Sequence, residues 1–399
     1  MWMKRKSGFD HKKKGKNKIT NKDESKINVK LIFRQYIKMG VQNILLPFVY
    51  QIAKPKQIEK GLVIFADAHN QKMPSSMAPL VKEVKRRGRM RVLEFYDDYQ
   101  QISFGRLLKR MLNFMIYYAR AEYVVICDNF LPVSSCKKRK ETTVIQLWHG
   151  CGAFKKFGYD TTGDIPSYYK GNVYKNYDIV TVSAPGCAAY FQSAMRLEHN
   201  VFQPYGVCRT DKYFHKSYRT ACRKLFEETH PEAAGKKIVL WAPTFRGNPA
   251  DPKLDQYEDI EKMRESLPSD VAVFIKVHPH LAKKYPYDNS SLTTDQLLPV
   301  TDLLITDYSS IIFEYSIYQK PMLFYAPDMG EYDVERGFYL DYQTLPGPIV
   351  TDQRELAGEV MRVLSQETES AEAVRAFFET YMSGCDGHVT RRMADRMGA

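Results

Sequence analysis

Leu303-Leu304-Ile305-Thr306-Asp307-Tyr308-Ser309-Ser310-Ile311-Ile312-Phe313-Glu314 runs from an apolar stretch through a polar turn into a second apolar stretch, and Met322–Tyr325 follows closely. Leu303–Ile305 reads as a buried strand, Ser309–Tyr318 as a helix and Met322–Tyr325 as the next strand, the signature of a parallel sheet. Upstream, Ile238–Trp241 and Val271–Val277 extend the same series. Beyond a charged, turn-rich stretch at Glu228–Lys237 the alternation occurs again: strands at Leu62–Ala66, Arg91–Phe95, Tyr123–Cys127, Thr143–Trp148 and Tyr177–Val182, with helices at Met77–Arg87, Phe104–Ala119 and Gly186–Met195. At 399 residues the chain fits about two α/β domains of about 150 residues each. The boundary falls near residues 210–235, the span from Glu355 to Met397 reads as helices, and two domains imply a cleft.

Apolar residues at 44% and aromatics at 13% supply an ample core. The net charge of +13 resembles a nucleic-acid signal until it is located: residues 1–60 hold sixteen Lys and Arg against four Asp and Glu, so the remaining body is nearly neutral. Residues 1–25 read as a basic tail. Residues 26–53 read as an amphipathic helix or helix pair, with Lys26, Lys30, Arg34 and Lys38 on one stripe and Phe33, Ile37, Val41, Ile44 and Phe48 on another. Val41–Ala53 contains Pro47 and falls short of the roughly 20 residues that cross a bilayer. Two readings stand: a helix lying on an anionic membrane surface, or a cap on the first domain with a solvated tail. No signal peptide is visible. Cys127, Cys136, Cys151, Cys187, Cys208, Cys222 and Cys385 show no C-x-x-C spacing, so neither a disulfide framework nor a zinc site is expected, and the compartment is read as reducing.

The chemistry-bearing segments each follow a strand, the end that faces the ligand crevice in open α/β sheets. Gln146-Leu147-Trp148-His149-Gly150-Cys151-Gly152-Ala153-Phe154-Lys155-Lys156 places a histidine among glycines and lysines; imidazole titrates near neutrality, so a poised His149 can take a proton from a hydroxyl. Ala242-Pro243-Thr244-Phe245-Arg246-Gly247 offers a guanidinium fork for phosphate, or else a turn with a solvated arginine. Lys276-Val277-His278-Pro279-His280 is read as a phosphate contact in preference to a metal site, because no carboxylate cluster accompanies it. Thr306-Asp307-Tyr308-Ser309-Ser310 opens a helix, and a helix N-terminus is a ready anion site as well as an ordinary cap. Glu314 on that helix either bonds a ribose diol or faces solvent.

Taken in order, these segments resemble the CDP-glycerol glycerophosphotransferase family of teichoic-acid and capsule enzymes. The resemblance runs from about Gly61 to Asp352 through Gln146–Gly150, Tyr205–Asp211 with Arg209 and Asp211, Ala242–Arg246, Lys276–Pro279, Thr301–Glu314, Pro321–Pro327 and Arg336-Gly337-Phe338. It implies a GT-B arrangement of two Rossmann-like domains with parallel sheets facing a cleft: an acceptor domain at 61–220, a CDP-donor domain at 235–375, and a C-terminal helix at 376–399 that crosses back. His149 matches the family's proposed base, His278, Ser309 and Ser310 its donor-phosphate side, and Arg246 and Glu314 its pyrophosphate and ribose positions. Lys276, Thr306 and Asp307 fall with the donor set, and Trp148, Gly150, Lys155, Arg209 and Asp211 with the acceptor or cleft set.

The expected reaction is attack by an acceptor hydroxyl, deprotonated by His149, on the β-phosphorus of CDP-glycerol, with CMP leaving. The expected acceptor is a lipid-linked polymer, at the cytoplasmic face of an anionic membrane to which the protein binds peripherally. No Asp-x-Asp motif is present, so no metal or cofactor is required, although a divalent cation is compatible. Cys151-Gly152 replaces the Thr-Pro common in relatives, and Thr210 an Asn. The chain lacks the long N-terminal extension of the larger polymerases, which favours single or short additions. A CDP-ribitol enzyme and a GT-B nucleotide-sugar transferase are the neighbouring alternatives. A basic membrane or nucleic-acid adaptor is the alternative of another class, and the near-neutral body with four strand-end polar motifs argues against it.

Overall fold

The computed structural model describes residues 33–161, 164–166, 169–248, 251–282, 286–330 and 337–399. The basic tail with Lys26 and Lys30, Arg336, and the side chain of His280 lie outside the described residues. In the first half, β1 (Glu59–Asp67), β2 (Arg91–Tyr96), β3 (Ala121–Ile126), β4 (Thr143–Gln146), β5 (Ile179–Thr181) and β6 (Phe202–Gln203) form a parallel sheet in the order β2-β1-β3-β4-β5-β6. In the second half come β7 (Lys237–Trp241), a small antiparallel hairpin of β8 (Arg246–Asn248) and β9 (Asp251–Lys253), then β10 (Val271–Ile275), β11 (Leu303–Thr306), β12 (Met322–Tyr325) and β13 (Ile349–Val350). The larger sheet there is parallel in the order β10-β7-β11-β12-β13.

Strands covered on both faces should be apolar without alternation. Accordingly all four residues of β11 and of β12 are buried, as are Leu62–Asp67 of β1. In each sheet the chain moves one way from its first strand and then the other way. The order therefore reverses between β1 and β3 in the first half and between β7 and β11 in the second, and such switch points open a crevice at the strands' carboxyl ends.

The C-terminal helices join the halves. Gln353–Ser365 buries Leu356 and Val360 against the second sheet, while Glu367–Tyr381 stacks Phe377 on Phe313 of the helix Ile311–Ser316 at 5.2 Å. Val389–Arg396 then returns to the first half, burying Val389 and Met393 beside Leu80 and Val84, with Arg87 Nη1 2.7 Å from Asp395 Oδ1.

At the other end a helix over residues 33–53, with a π-helical turn at Val41–Leu45, docks through Gln42, Leu46 and Tyr50. Gln42 Nε2 donates to the Leu131 carbonyl at 2.7 Å, and Tyr50 Oη accepts from the Arg139 amide at 2.9 Å. The opposite side exposes Phe33, Tyr36, Ile44, Phe48 and Ile52, so this helix both caps the first half and leaves an apolar stripe in solvent. No helix among the described residues is long and apolar enough to cross a membrane.

Three differences from the sequence reading have plain causes. β6 and β13, two residues each, are too short to carry a period. The helix Lys216–Thr229 buries only Cys222 and Phe226, so its charged remainder reads as a linker. The fourth strand ends at Gln146 because Trp148 takes a left-handed backbone, φ 59°. The seven cysteines are free and buried, and burial pushes the Cys208 thiol up to about 12 and Cys385 up to about 11, leaving both protonated at neutral pH.

Candidate active site

The first switch point collects the ends of β1, β3 and β4, which carry His69, Asp128 and His149. Gln146, fully buried, shapes the turn: its Nε2 donates to the Asp128 carbonyl at 3.0 Å and its Oε1 accepts from the Trp148 amide at 2.9 Å. These bonds hold Trp148 in a conformation that costs a non-glycine residue about 1–2 kcal/mol. The result is to swing the next side chain out of the sheet. The His149 side chain is 50% exposed, with Nδ1 3.4 Å from Asp128 Oδ2. Its ring stacks on Trp148 at 4.6 Å, and Trp148 packs on Phe157 at 4.8 Å. With Nδ1 turned to the carboxylate, Nε2 is the nitrogen left to face a substrate hydroxyl. The other Asp128 oxygen lies 4.0 Å from His69 Nε2, and Asn129 Oδ1 beside it is buried with no hydrogen-bond partner. Sequence reading located the strand before Asp128 but passed over this carboxylate, although a polar residue directly after a buried strand was the signal used elsewhere.

From His149 the chain runs into the second half. Gly152 has φ 62°, and a Cβ there would sit 2.2 Å from the Phe313 ring, so only glycine permits this approach. Lys155 forms an antiparallel bridge with Phe338, flanked by Lys156 N–Gly337 O at 3.1 Å and Tyr339 N–Phe154 O at 2.9 Å. Trp148, Gly150 and Lys155 therefore belong to the segment that couples the base to the other half.

At the second switch point the groups expected to hold donor phosphates hold one another. Arg246 Nη1 is 2.9 Å from Asp307 Oδ2 and 2.8 Å from the Thr244 carbonyl, and Nη2 is 2.9 Å from Asp328 Oδ1. Asp307 also accepts from Thr244 N at 2.8 Å and Tyr308 N at 2.7 Å. The guanidinium lies 4.9 Å over the Tyr308 ring. Burial alone would lower the Arg246 pKa, but Asp328 and Asp307 hold it above its ordinary value. The guanidinium is thus held by a largely buried network, in which a desolvated cation and two carboxylates satisfy each other.

Similar corrections apply nearby. Thr306 is buried and gives its hydroxyl to the Ala242 carbonyl at 2.6 Å, so it and Asp307 serve as framework. Lys276 reaches Asp288 Oδ2 at 2.5 Å and the Ser290 carbonyl at 3.2 Å. What this edge presents outward is His278, its ring 5.0 Å from Phe245, together with half-buried Ser309 and exposed Ser310.

Two more residues are placed by their partners. Glu314 does not face solvent: its side chain is 6% exposed and pairs with Arg209 across the two halves. Burial would lower the Arg209 pKa, and the Glu314 carboxylate instead holds it up. The Asp211 carboxylate accepts from Val389 N at 3.0 Å and Thr390 N at 2.8 Å, capping the returning C-terminal helix. Among the described residues no group of three or more His, Cys, Asp or Glu is placed to hold a metal ion.

Comparison with known proteins adds the family and the fold. The family profile described as CDP-Glycerol:Poly(glycerophosphate) glycerophosphotransferase matches residues 48–398. A teichoic acid ribitol-phosphate primase of Bacillus spizizenii is 32% identical over 356 residues, covering 85% of this chain and 91% of that protein. A teichoic acid glycerol-phosphate primase of Bacillus subtilis is 32% identical over 296 residues, covering 70% of this chain and 74% of that one. Among solved structures, the wall teichoic acid polymerase TagF, variant H548A, superposes with a TM-score of 0.70 at 21% identity over 92% of this chain and 96% of that one, which shows a shared GT-B-like fold.

Proposed function

Because the chain belongs to the CDP-glycerol:poly(glycerophosphate) glycerophosphotransferase family, a family of phosphotransferases acting on cell-envelope polymers, we propose that it transfers glycerol phosphate from CDP-glycerol to an acceptor hydroxyl. The observation that carries this reading is the half-exposed His149 held by Asp128 at the end of β4. His149 Nε2 takes the proton of the hydroxyl as the oxygen forms its bond to the donor's β-phosphorus. The bond from that phosphorus to the bridging oxygen breaks, and CMP leaves with the electron pair. Asp128 stabilises the imidazolium that forms. His278, Ser309 and Ser310 are assigned to the departing phosphates, and the Arg246 network holds their loops still.

A second reading, ribitol phosphate as the transferred group, is favoured by the similarity to the ribitol-phosphate primase over 91% of its length. We assign the site to a membrane surface, with a lipid-linked acceptor, on two observations: the basic residues 1–60 and the exposed stripe Phe33, Ile44, Phe48 and Ile52. The test is CMP release from CDP-glycerol and from CDP-ribitol with a lipid-linked glycerol-phosphate acceptor, for wild type, His149→Ala and His278→Ala. Acceptor-dependent release from CDP-glycerol, lost in both variants, supports the proposal. Release from CDP-ribitol alone replaces the donor, and release from neither by folded protein overturns the reading.

A further inference from the structure

Between the helix over residues 33–53 and the helix Phe104–Tyr118 runs a groove of about 380 Å³. Its lining is mainly apolar, with Val41, Leu107, Leu108, Met111 and Leu131, interrupted by Lys38, Gln42, Gln100 and Asp164, and Ala68, His69 and Asn129 form its inner end. That inner end is the switch point between β1 and β3, where the sheet opens a ligand crevice. Its polar groups bear on the site: His69 shares Asp128 with His149, and the Asn129 Oδ1 is buried without a partner. At the outer edge stands Phe104, 55% exposed, while Ile44 one turn beyond Val41 is 72% exposed, so the groove opens towards the molecule's apolar surface. An apolar slot that begins in an exposed apolar stripe and ends at an unsatisfied acceptor beside the base matches one class of ligand: a long aliphatic chain carrying a polar, hydroxyl-bearing head.

We propose that this groove binds the aliphatic chain of a lipid-phosphate acceptor, so that the head passes His69 and Asn129 and presents its hydroxyl to His149. The proposal rests on the transferase reading for the identity of the head, but the chain site stands on the groove itself. Burying apolar chain against these walls contributes about 25 cal/mol per Å². That energy is gained equally before and during reaction, so it lowers KM without changing kcat.

The test irradiates the full chain with a farnesyl phosphate carrying a diazirine on its terminal isoprene and maps the adducts by peptide mass spectrometry. Adducts within residues 104–111 and 131–132, competed by unlabelled farnesyl phosphate and reduced about tenfold in Met111→Trp or Leu108→Trp, support the proposal. Both variants are first checked by circular dichroism, and two positions are used so that a fold defect in one leaves the other informative. In the transfer assay the same variants should raise KM about tenfold for a long-chain acceptor and leave KM unchanged for a water-soluble, chain-truncated one. Adducts confined to Ile44, Phe48 and Ile52, adducts indifferent to the tryptophan plugs, cross-links to a second copy of the chain, or no adduct would each overturn it. Groove labelling without CMP release would remove the transferase reading and keep the lipid site. CMP release with an unlabelled groove would do the reverse.

Discussion

The two sheets reverse their strand order at equivalent places, and the two switch points hold similar residue types in opposite states. At the first, Asp128 faces His149 and His69 at 3.4 and 4.0 Å, and the His149 side chain is half exposed. At the second, Asp307 and Asp328 close on Arg246 at 2.9 Å or less, and the Arg246 side chain is only 13% exposed. The loose pair is open to something that arrives from outside. The tight one is not, because every donor of the guanidinium that is turned aside leaves a buried charge unmatched. One switch point is therefore left open and the other is closed on itself, and a carboxylate after a buried strand means different things depending on what reaches it first.

Removing the charge at the centre of the tight site should have the largest effect. Arg246→Met leaves Asp307 buried and Asp328 partly buried without their counter-ion, and the expected loss is about 3 kcal/mol of stability, read from urea or thermal unfolding. A variant as stable as wild type would mean that this network is not closed in solution, and that Arg246 is available to phosphate after all. Asp128→Asn is the matching change at the loose site. It should leave the unfolding midpoint in place and cut kcat by about 100-fold, with KM for CDP-glycerol unchanged, since it removes the group that orients His149 and not a donor contact. Loss of stability without loss of kcat would erase the contrast between the two sites.

The coupling between the sites is the next quantity to test. Gly152→Ala puts a Cβ against the buried Phe313 ring at a left-handed backbone position, and about 2 kcal/mol of stability should be lost. The segment after His149 would also have to move, so kcat should fall by a larger factor than in a stability-matched variant elsewhere. Equal falls would show that the interface supports the fold but does not position the base.

How much of this was legible beforehand follows from the range of each interaction. The strands were readable because burial on both faces leaves uninterrupted apolar runs, as in Leu303–Thr306 and Met322–Tyr325. His149 was readable because its signal is local: a strand, a histidine and glycines in succession. Arg246 and Lys276 were read as phosphate ligands because their partners are far away in sequence, Asp328 lying 82 residues from Arg246 and Asp288 12 from Lys276. The same holds for Asp211, which caps a helix that begins 178 residues later. Sequence shows where a polar residue will stand, at a strand end, but not whether a distant carboxylate will have satisfied it.

The smallest effect concerns acid. Burial alone would raise the Asp328 pKa, and the hydrogen bond and charge of Arg246 more than offset this, so it stands below the ordinary carboxylate range. A carboxylate lowered on folding adds stability that is fully present above its unfolded value near pH 4 and is lost as pH falls through the folded value. Asp328 is 24% exposed, which limits its share to about 1 kcal/mol. Between pH 5 and pH 3, then, wild-type stability should decline more steeply than that of Asp328→Asn, the two curves converging at the acid end. Parallel curves would mean that Asp328 titrates alike folded and unfolded, so that Arg246 would be held by Asp307 alone and the second switch point would be more open than its geometry indicates.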